Sequence, residues 1–334
     1  MSYTPRLFLI LLWFIGLAAC SPGAATSSSD APVISNWSGP TPTRAVGPNP
    51  AAGRTVELPP SPTPVPSATP IPQPWRFVVL GDTRTEGLRP PDITYAIVER
   101  ARQAQPEVVL CVGDMINALD SQDDVRAQWR FWNEAIAPLG MRYLLITPGN
   151  HDVQQNAWAT ELLAEAFPKL PSDGPAGFER RAYVFDYRDV RFISLDSEQF
   201  DQPNRLGPEQ LSWLEQQLRN NPNRYTIVFS HAPAYPVGPH IGSSLDVYPQ
   251  ERDQFWQLLR DHKVTAYITG HEHLYNHQQI AEVQQIIVGT SGSGIYGGYG
   301  GEFYHYLVAE VGAETLTLTI YDQDGQERDS FTLR

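Results

Sequence analysis

Residues 143–152 read YLLITPGNHD, so an apolar run typical of a β-strand leads directly into a polar cluster. A buried strand that ends in this way delivers its polar side chains to the carboxyl edge of a sheet. The pattern occurs four more times, and the clusters that follow those apolar runs are GDTR (81–84), GDMIN (113–117), SHAP (230–233) and GHEH (270–273). Five clusters of Asp, Asn and His side chains at one sheet edge predict a metal centre.

The residue types in these clusters indicate the class of metal. Carboxylate and amide oxygens occur together with imidazole nitrogens. Mixed oxygen and nitrogen ligands suit Zn, Mn or Fe, whereas oxygen atoms alone would favour Mg or Ca. The sequence therefore predicts a site for Zn, Mn or Fe and leaves the choice among them open.

The composition restricts the class of protein and of partner. The chain has 334 residues, 41% of them hydrophobic and 18% charged, which predicts a globular core. Its formal net charge of -13 argues against nucleic acid as the main partner, because a polyanion would be repelled. A small anionic phosphoester can still bind beside a metal, because the charge of the metal dominates the nearby field.

The first 20 residues are predicted to form an export signal. Arg6 precedes an apolar stretch at 7–19 that is too short to span a membrane. The segment closes on LAAC (17–20), which resembles the lipobox of bacterial lipoproteins, where the cysteine is lipidated and becomes the first residue. This resemblance implies an exported, extracytoplasmic protein that is anchored to the bacterial cell membrane through lipidated Cys20. An ordinary cleaved signal and an uncleaved anchor are the alternatives.

The composition also predicts a tether after the export signal and a buried cysteine in the folded domain. Residues 21–73 are rich in Pro, Ser and Thr and predict a disordered tether, because they cannot bury enough apolar area to fold. The second cysteine of the chain, Cys111, lies in an apolar run and is expected to pack in the core. With only two cysteines, a disulfide framework is excluded.

From residue 74 to 334, strand-like runs alternate with helical patterns, which predicts one folded domain of the α/β class. Helices are predicted at 93–103, 124–136, 158–167, 208–218 and 249–260. A hairpin is predicted at 183–195, and further strands are predicted at 283–288, 306–311, 315–321 and 330–333. This order fits a four-layer αββα sandwich of two mixed β-sheets flanked by helices.

The five polar clusters, in this order, resemble the calcineurin-like metallophosphoesterase superfamily over about residues 75–300. The segments GHEHLY (270–275) and HAPAY (231–235) look most like the purple acid phosphatase branch. The resemblance implies a metal-dependent enzyme that hydrolyses phosphomonoesters or phosphodiesters by attack of a metal-bridging hydroxide.

The resemblance also implies a set of metal ligands for two divalent or trivalent ions. Asp114 would be shared between the ions; Asn150, His231 and His271 would complete one site, and Asp82 and His273 would belong to the other. Two cations about 3.5–4 Å apart can share a carboxylate and clamp the attacking and leaving oxygens of an in-line displacement. General chemistry therefore favours such a pair independently of the family.

Two residues beside the ligands are candidates for catalysis. By the resemblance, His151 would donate a hydrogen bond or a proton to the phosphate or to the leaving oxygen. Asp152 is next in sequence and is expected to orient the His151 imidazole, as carboxylates often do. The alternative for Asp152 is the capping of a turn.

Two positions depart from the family pattern. Most of the superfamily has His where this chain has Arg84, and purple acid phosphatases have Tyr where it has Asn117. The site of Asp82 and His273 therefore lacks one ligand, unless Asn117 coordinates weakly through its amide oxygen. Arg84 cannot bind a metal because its guanidinium stays protonated. It is expected either to bind substrate phosphate as a bidentate fork or to pair with an acid.

The sequence is also compatible with two other functions. One is a nuclease or a cyclic-nucleotide phosphodiesterase, although the acidic composition disfavours long nucleic acid. The other is a catalytically weakened surface binding protein on the same scaffold, which the departures at Arg84 and Asn117 motivate.

Overall fold

The computed structural model describes residues 73–118 and 121–333. The predicted export signal, Cys20 and almost all of the predicted tether lie outside these residues. Among the helices of the described residues, none is both long enough and apolar enough to cross a membrane.

Strands and helices alternate from the first strand to the third helix of the described chain, and four consecutive strands follow the fourth helix. The elements up to residue 219 are β1 (Trp75–Leu80), α1 (Asp92–Ala101), β2 (Val108–Cys111), α2 (Gln122–Ile136), β3 (Tyr143–Ile146), α3 (Asn150–Val153), α4 (Ala159–Ala166), β4 (Tyr183–Tyr187), β5 (Val190–Ser194), β6 (Glu198–Gln199), β7 (Gln202–Pro203) and α5 (Gly207–Arg219). The later elements are β8 (Tyr225–Phe229), α6 (Pro249–Asp261), β9 (Ala266–Thr269), β10 (Tyr275–Ile280), β11 (Val283–Val288), β12 (His305–Val311), β13 (Leu316–Asp322) and β14 (Glu327–Leu333).

The long strands form two mixed sheets. The first has the order β14-β13-β12-β1-β2-β3, and the second has the order β10-β11-β9-β8-β5-β4. In the first sheet, β1, β2 and β3 are parallel, while β12 runs antiparallel to β1. In the second sheet, β5, β8, β9 and β11 are parallel, and the edge strands β4 and β10 are antiparallel to their neighbours. The carboxyl ends of the parallel strands therefore meet at one edge of each sheet.

The sheets pack face to face, with helices outside them. Phe77 of β1 and Phe192 of β5 meet edge to face between the sheets, with ring centroids 5.3 Å apart. Outside the second sheet, α5 and α6 bury Leu214 and Phe255 in one cluster with Tyr267 of β9. Helices α1 and α2 contribute their apolar faces to the other cluster, which contains the strands of the first sheet. This arrangement confirms the predicted four-layer αββα sandwich.

Each predicted helix is present, with ends that differ by at most two residues, and Cys111 is buried as expected. Strand β10 was not predicted, because its sequence YNHQQI has no apolar alternation. It is an edge strand whose side chains are mostly half-buried, so only its backbone pairing with β11 identifies it as a strand.

Candidate metal centre

The five polar clusters follow the carboxyl ends of β1, β2, β3, β8 and β9, and backbone contacts hold them together. The amide of Asp82 donates to the carbonyl of Gly113 at 3.2 Å, which joins the ends of β1 and β2. The amide of His271 donates to Asp82 Oδ2 at 2.9 Å, which joins the second sheet to the first. The edges of both sheets therefore face one site.

Four of the predicted ligands have a left-handed backbone. The φ angles are +49° at Asp82, +53° at Asp114, +74° at His271 and +45° at His273. Residues other than glycine rarely adopt this conformation, which costs of order 1–3 kcal/mol in strained cases and clusters at functional sites. The fold thus uses strained turns to direct these side chains into the site.

Glycine before the ligands permits the close approach of the turns. A Cβ atom added at Gly149 would overlap the backbone amide and the carboxylate of Asp114. Gly113 has a φ of +91°, and a Cβ there would lie 2.8 Å from the Cα of Gly149. The ends of β2 and β3 can approach each other only because both positions lack a side chain.

The three predicted histidine ligands are oriented by backbone carbonyls. His231 Nδ1 donates to the carbonyl of Val112 (2.8 Å), His271 Nε2 to that of Ser243 (3.1 Å) and His273 Nδ1 to that of Gly294 (2.6 Å). A carbonyl oxygen only accepts, so each of these ring nitrogens carries the hydrogen. In the neutral rings the other nitrogen is a lone-pair donor, which is the arrangement that metal-binding histidines use.

These lone-pair nitrogens converge with the predicted oxygen ligands. His231 Nε2 lies 3.0 Å from Asn150 Oδ1, 3.1 Å from His271 Nδ1 and 3.5 Å from Asp114 Oδ1. Two facing lone-pair nitrogens at this distance repel each other unless a proton or a cation lies between them. The donor set therefore fits a cation bound by these four residues.

A second group of donors lies around Asp82. Its Oδ1 atom is buried and has no well-aligned hydrogen bond within the described part of the chain, although His273 Nε2 is 3.3 Å away. A buried oxygen without a partner is costly, and a cation would satisfy it. The ligand atoms of Asp82, Asp114 and His231 all lie within 4.8 Å of one another. The residues thus fit two adjacent cations that share Asp114.

The buried charges shift one another's pKa. Burial raises the pKa of Asp82. Burial would also raise the pKa of Asp114, but His231, His151 and Arg84 outweigh it and lower that pKa overall. Burial opposes a charge on His231, yet the nearby carboxylates of Asp114 and Asp82 raise its pKa to about 9. The carboxylates therefore draw positive charge into the cluster, and a cation would supply it.

His151 lies at the cluster, but its partner differs from the predicted one. The Asp152 carboxylate accepts hydrogen bonds from the amides of Met115 and Ile116 (both 3.0 Å) and of Gly149 (2.8 Å). These three bonds join the second and third polar clusters, so Asp152 caps the turns. This corrects the expectation that Asp152 orients the His151 imidazole, because its oxygens face the backbone amides.

The side chain that contacts the His151 imidazole is that of Asn117, whereas Asp152 was expected in this role. The Asn117 Oδ1 atom lies 3.1 Å from His151 Nδ1, and its Nδ2 atom donates to Glu86 Oε2 at 2.7 Å. A carboxylate only accepts, so Glu86 requires the amide to present its NH₂ group and to turn its oxygen to His151. In this arrangement the Asn117 oxygen is engaged by His151. Metal coordination by that oxygen therefore stays a prediction, and it would require this contact to break. Glu86 was not predicted, since an acid in an exposed loop carries no sequence signal.

Arg84 forms ion pairs with two acids. Its Nε atom lies 3.2 Å from Asp114 Oδ2, and its Nη1 atom lies 3.2 Å from Glu86 Oε1. Of the two predicted roles, pairing with an acid is therefore present in the structure. A cavity of about 340 Å³ is lined by Arg84 together with His273 and Tyr296. The Tyr296 ring stacks on His273 with a centroid distance of 4.3 Å.

The four-layer αββα fold carries, at its strand ends, a carboxylate and histidine cluster that suits metal ions. Residues 76–275, more than half of the chain, match the calcineurin-like phosphoesterase family. The chain belongs to this family, which confirms the resemblance of its five clusters.

Comparison with individual proteins gives more distant similarities. The chain is 29% identical over 183 residues to a 3',5'-cyclic adenosine monophosphate phosphodiesterase of Vibrio vulnificus, covering 53% of this chain and 59% of that protein. It is 31% identical over 137 residues to a glycerophosphodiester phosphodiesterase of Enterobacter lignolyticus, covering 40% and 44%. The matched segment thus spans about half the length of these relatives. A purple acid phosphatase from yellow lupin (Lupinus luteus) has a TM-score of 0.63 at 18% identity over 78% of this chain and 53% of that one, which shows a shared fold.

Proposed function

We propose that the chain is a metal-dependent phosphoesterase that hydrolyses small phosphomonoesters or phosphodiesters. The observation that carries the proposal is the orientation of three histidines by backbone carbonyls, which turns their lone-pair nitrogens into the cluster that contains Asp82, Asp114 and Asn150. Two ions of Mn, Fe or Zn would be held by Asp82, Asp114, Asn150, His231, His271 and His273. When bound, such a pair lowers the pKa of water and neutralises charge on the phosphate.

His151 is the proposed proton donor. Its Nδ1 atom is engaged by Asn117, so Nε2 is the ring atom left for substrate. Burial, followed by the charges of Arg84 and His231, lowers the pKa of His151, although Asp114 opposes them. An anionic phosphoester beside the ring favours the protonated form, which then donates from Nε2 to the leaving oxygen.

A small substrate fits the surroundings of the cluster. The cavity of about 340 Å³ beside Arg84 is lined by the aromatic ring of Tyr296 and by the glycines of residues 292 and 294. Ligand cavities typically measure about 300–1,000 Å³, so this one is of the size that takes a small organic group. We propose that the leaving group occupies it and that Arg84 contacts the phosphate.

A cyclic-nucleotide phosphodiesterase is a second candidate. It is favoured by the similarity to a protein named as a 3',5'-cyclic adenosine monophosphate phosphodiesterase. A glycerophosphodiester phosphodiesterase is also among the relatives. Small phosphodiesters are therefore proposed as substrates alongside phosphomonoesters. A nuclease remains disfavoured by the net charge of -13. If the chain is instead a catalytically weakened binding protein, it should bind metal but hydrolyse no phosphoester.

One experiment separates these candidates. Rates of the Mn²⁺-loaded protein on p-nitrophenyl phosphate, bis-p-nitrophenyl phosphate and 3',5'-cyclic AMP would be compared with those of the chelator-treated protein. Metal-dependent turnover of any small ester supports the proposal, and the ratio of rates assigns the preferred class. Binding of metal without turnover of any of the three favours the binding protein.

We further propose that the protein is exported and held on the extracytoplasmic side of a bacterial cell membrane by a lipid on Cys20. Support comes from the sequence LAAC at 17–20 and from the Pro-rich residues that follow it. Metabolic labelling with radioactive palmitate should mark the wild-type chain and leave Cys20→Ser unlabelled. Equal labelling of both would contradict the anchor.

A further inference from the structure

The feature that carries this inference is the way the Asp114 carboxylate divides its contacts. Its Oδ1 atom accepts from the amide of His151 at 2.9 Å and faces His231 Nε2 at 3.5 Å. Its Oδ2 atom is in contact with Arg84 Nε at 3.2 Å. The Oδ1 atom therefore faces a ring nitrogen of His231, while Oδ2 is paired with the guanidinium of Arg84, which stays positively charged.

Arg84 is held firmly in this position. Its backbone amide donates to the carbonyl of Asp114 at 3.0 Å, and Ser293 Oγ donates to the carbonyl of Arg84 at 3.2 Å. Glu86 pairs with the guanidinium from the other side. The side chain is only 14% exposed, so water screens its charge weakly. Backbone and side-chain contacts thus fix the cation beside Asp114.

The two proposed metal sites differ in what they offer. Asn150, His231 and His271 converge with Asp114 Oδ1 around the first site. The second site has Asp82 Oδ1 and His273 Nε2, which lie 3.3 Å apart. A ligand atom of Asp114 lies within 4.8 Å of one of Asp82. Because Oδ1 of Asp114 faces the first site, Oδ2 is the oxygen left for a cation in the second site. A cation that enters the second site must share Oδ2 with the guanidinium and overcome its repulsion.

We propose that Arg84 competes with the second metal ion for Asp114 Oδ2, so that the two sites fill in separate steps. The site of Asn150, His231 and His271 fills first, and the site of Asp82 and His273 fills at higher metal concentration. Loss of the Oδ2 contact frees the guanidinium to turn into the adjacent cavity, where it would meet an anionic substrate. This inference rests on the proposed function, because it concerns how the cations of that centre are taken up.

The test is a Mn²⁺ titration of the metal-depleted full-length chain by calorimetry. For the wild type we expect two steps whose dissociation constants differ by at least about tenfold. Arg84→Leu removes the charge without adding a ligand, and it should leave the first step unchanged while tightening the second by at least about tenfold. Arg84→His adds a ligand as well and should tighten the second step further.

A matched control is Arg89→His, which changes an exposed arginine of the same loop and should reproduce both wild-type steps. An unchanged or weaker second step in Arg84→Leu, with the first step intact, would overturn the inference, because removal of the charge would then have had no benefit. Equal affinities at the two sites of the wild type would overturn it as well. Absence of Mn²⁺ binding to the wild type would contradict the proposed function itself, and this inference with it.

Discussion

The Asn117 amide oxygen lies 3.1 Å from His151 Nδ1, and this contact decides which ring atom is left for chemistry. With Nδ1 engaged, Nε2 is the only nitrogen that can serve a substrate. We predict that His151→Ala retains its metal and loses turnover by roughly 10²–10⁴-fold, the usual contribution of a general acid. Metal content by mass spectrometry and rates on a chromogenic phosphoester would check this. Turnover that equals the wild type would remove His151 from the mechanism.

Glu86 is expected to act through Asn117. The variant Glu86→Gln can present an NH₂ group to Asn117, which permits the amide to turn its oxygen away from His151. We predict a loss of turnover of roughly tenfold or more, with unchanged metal content. Glu99→Gln, an exposed position on α1 that pairs with Arg102, is the control and should behave as wild type. An effect of equal size in both variants would show that Glu86 has no specific role.

Gly149 is expected to be essential for metal binding. The Cβ of Gly149→Ala would overlap the Asp114 carboxylate and force that shared ligand to move. We predict the loss of most of the bound metal. Gly87→Ala is the control, because the nearest atom to its added Cβ is the Thr85 methyl at 3.8 Å. If Gly149→Ala binds as much metal as Gly87→Ala, the close packing of the turns does not support the site.

The buried side chain of Glu198 is expected to make the free energy of unfolding depend on pH, and a single substitution can isolate its contribution. Its carboxylate is fully buried, accepts from Ser197 Oγ at 2.9 Å and from Gln154 Nε2, and has its pKa raised to about 8 by burial. Between the ordinary value of 4.5 and about 8, the folded protein keeps a proton that the unfolded chain has released. The stability contributed by this group therefore falls as pH rises through that window.

We predict that Glu198→Gln gains stability over the wild type as pH increases from 5 to 8, by up to a few kcal/mol. Urea unfolding of the metal-depleted proteins at several pH values would measure the difference. Glu209→Gln, in the first turn of α5, should show no such trend. A difference between Glu198→Gln and wild type that stays constant with pH would contradict the raised pKa.

The sequence predicted that the five polar clusters meet, because each one follows a buried apolar strand. Asp82 and His231 each lie two residues beyond the last residue of β1 and β8, and parallel strands bring their ends to a common edge. The partner of His151 could not be predicted in the same way. In α3, adjacent side chains point about 100° apart, so Asp152 faces the backbone of Met115 while Asn117 reaches the ring from a distant turn.

The acid that pairs with Arg84 and the strand β10 could not be predicted from local sequence either. The sequence indicated that Arg84 replaces a histidine, but only the fold shows which acid it meets. Strand β10 was missed because an edge strand with polar residues on both faces has no period-2 pattern. Local patterns thus predict the elements and their ends, whereas contacts between distant loops require the folded chain.

The most direct test of the metal centre is anomalous diffraction at the manganese edge from crystals soaked in excess Mn²⁺. We predict two peaks that share Asp114, one beside Asn150, His231 and His271 and the other beside Asp82 and His273. Absence of any peak within bonding distance of Asp114 would contradict the metal centre, and the proposed catalysis would fail with it.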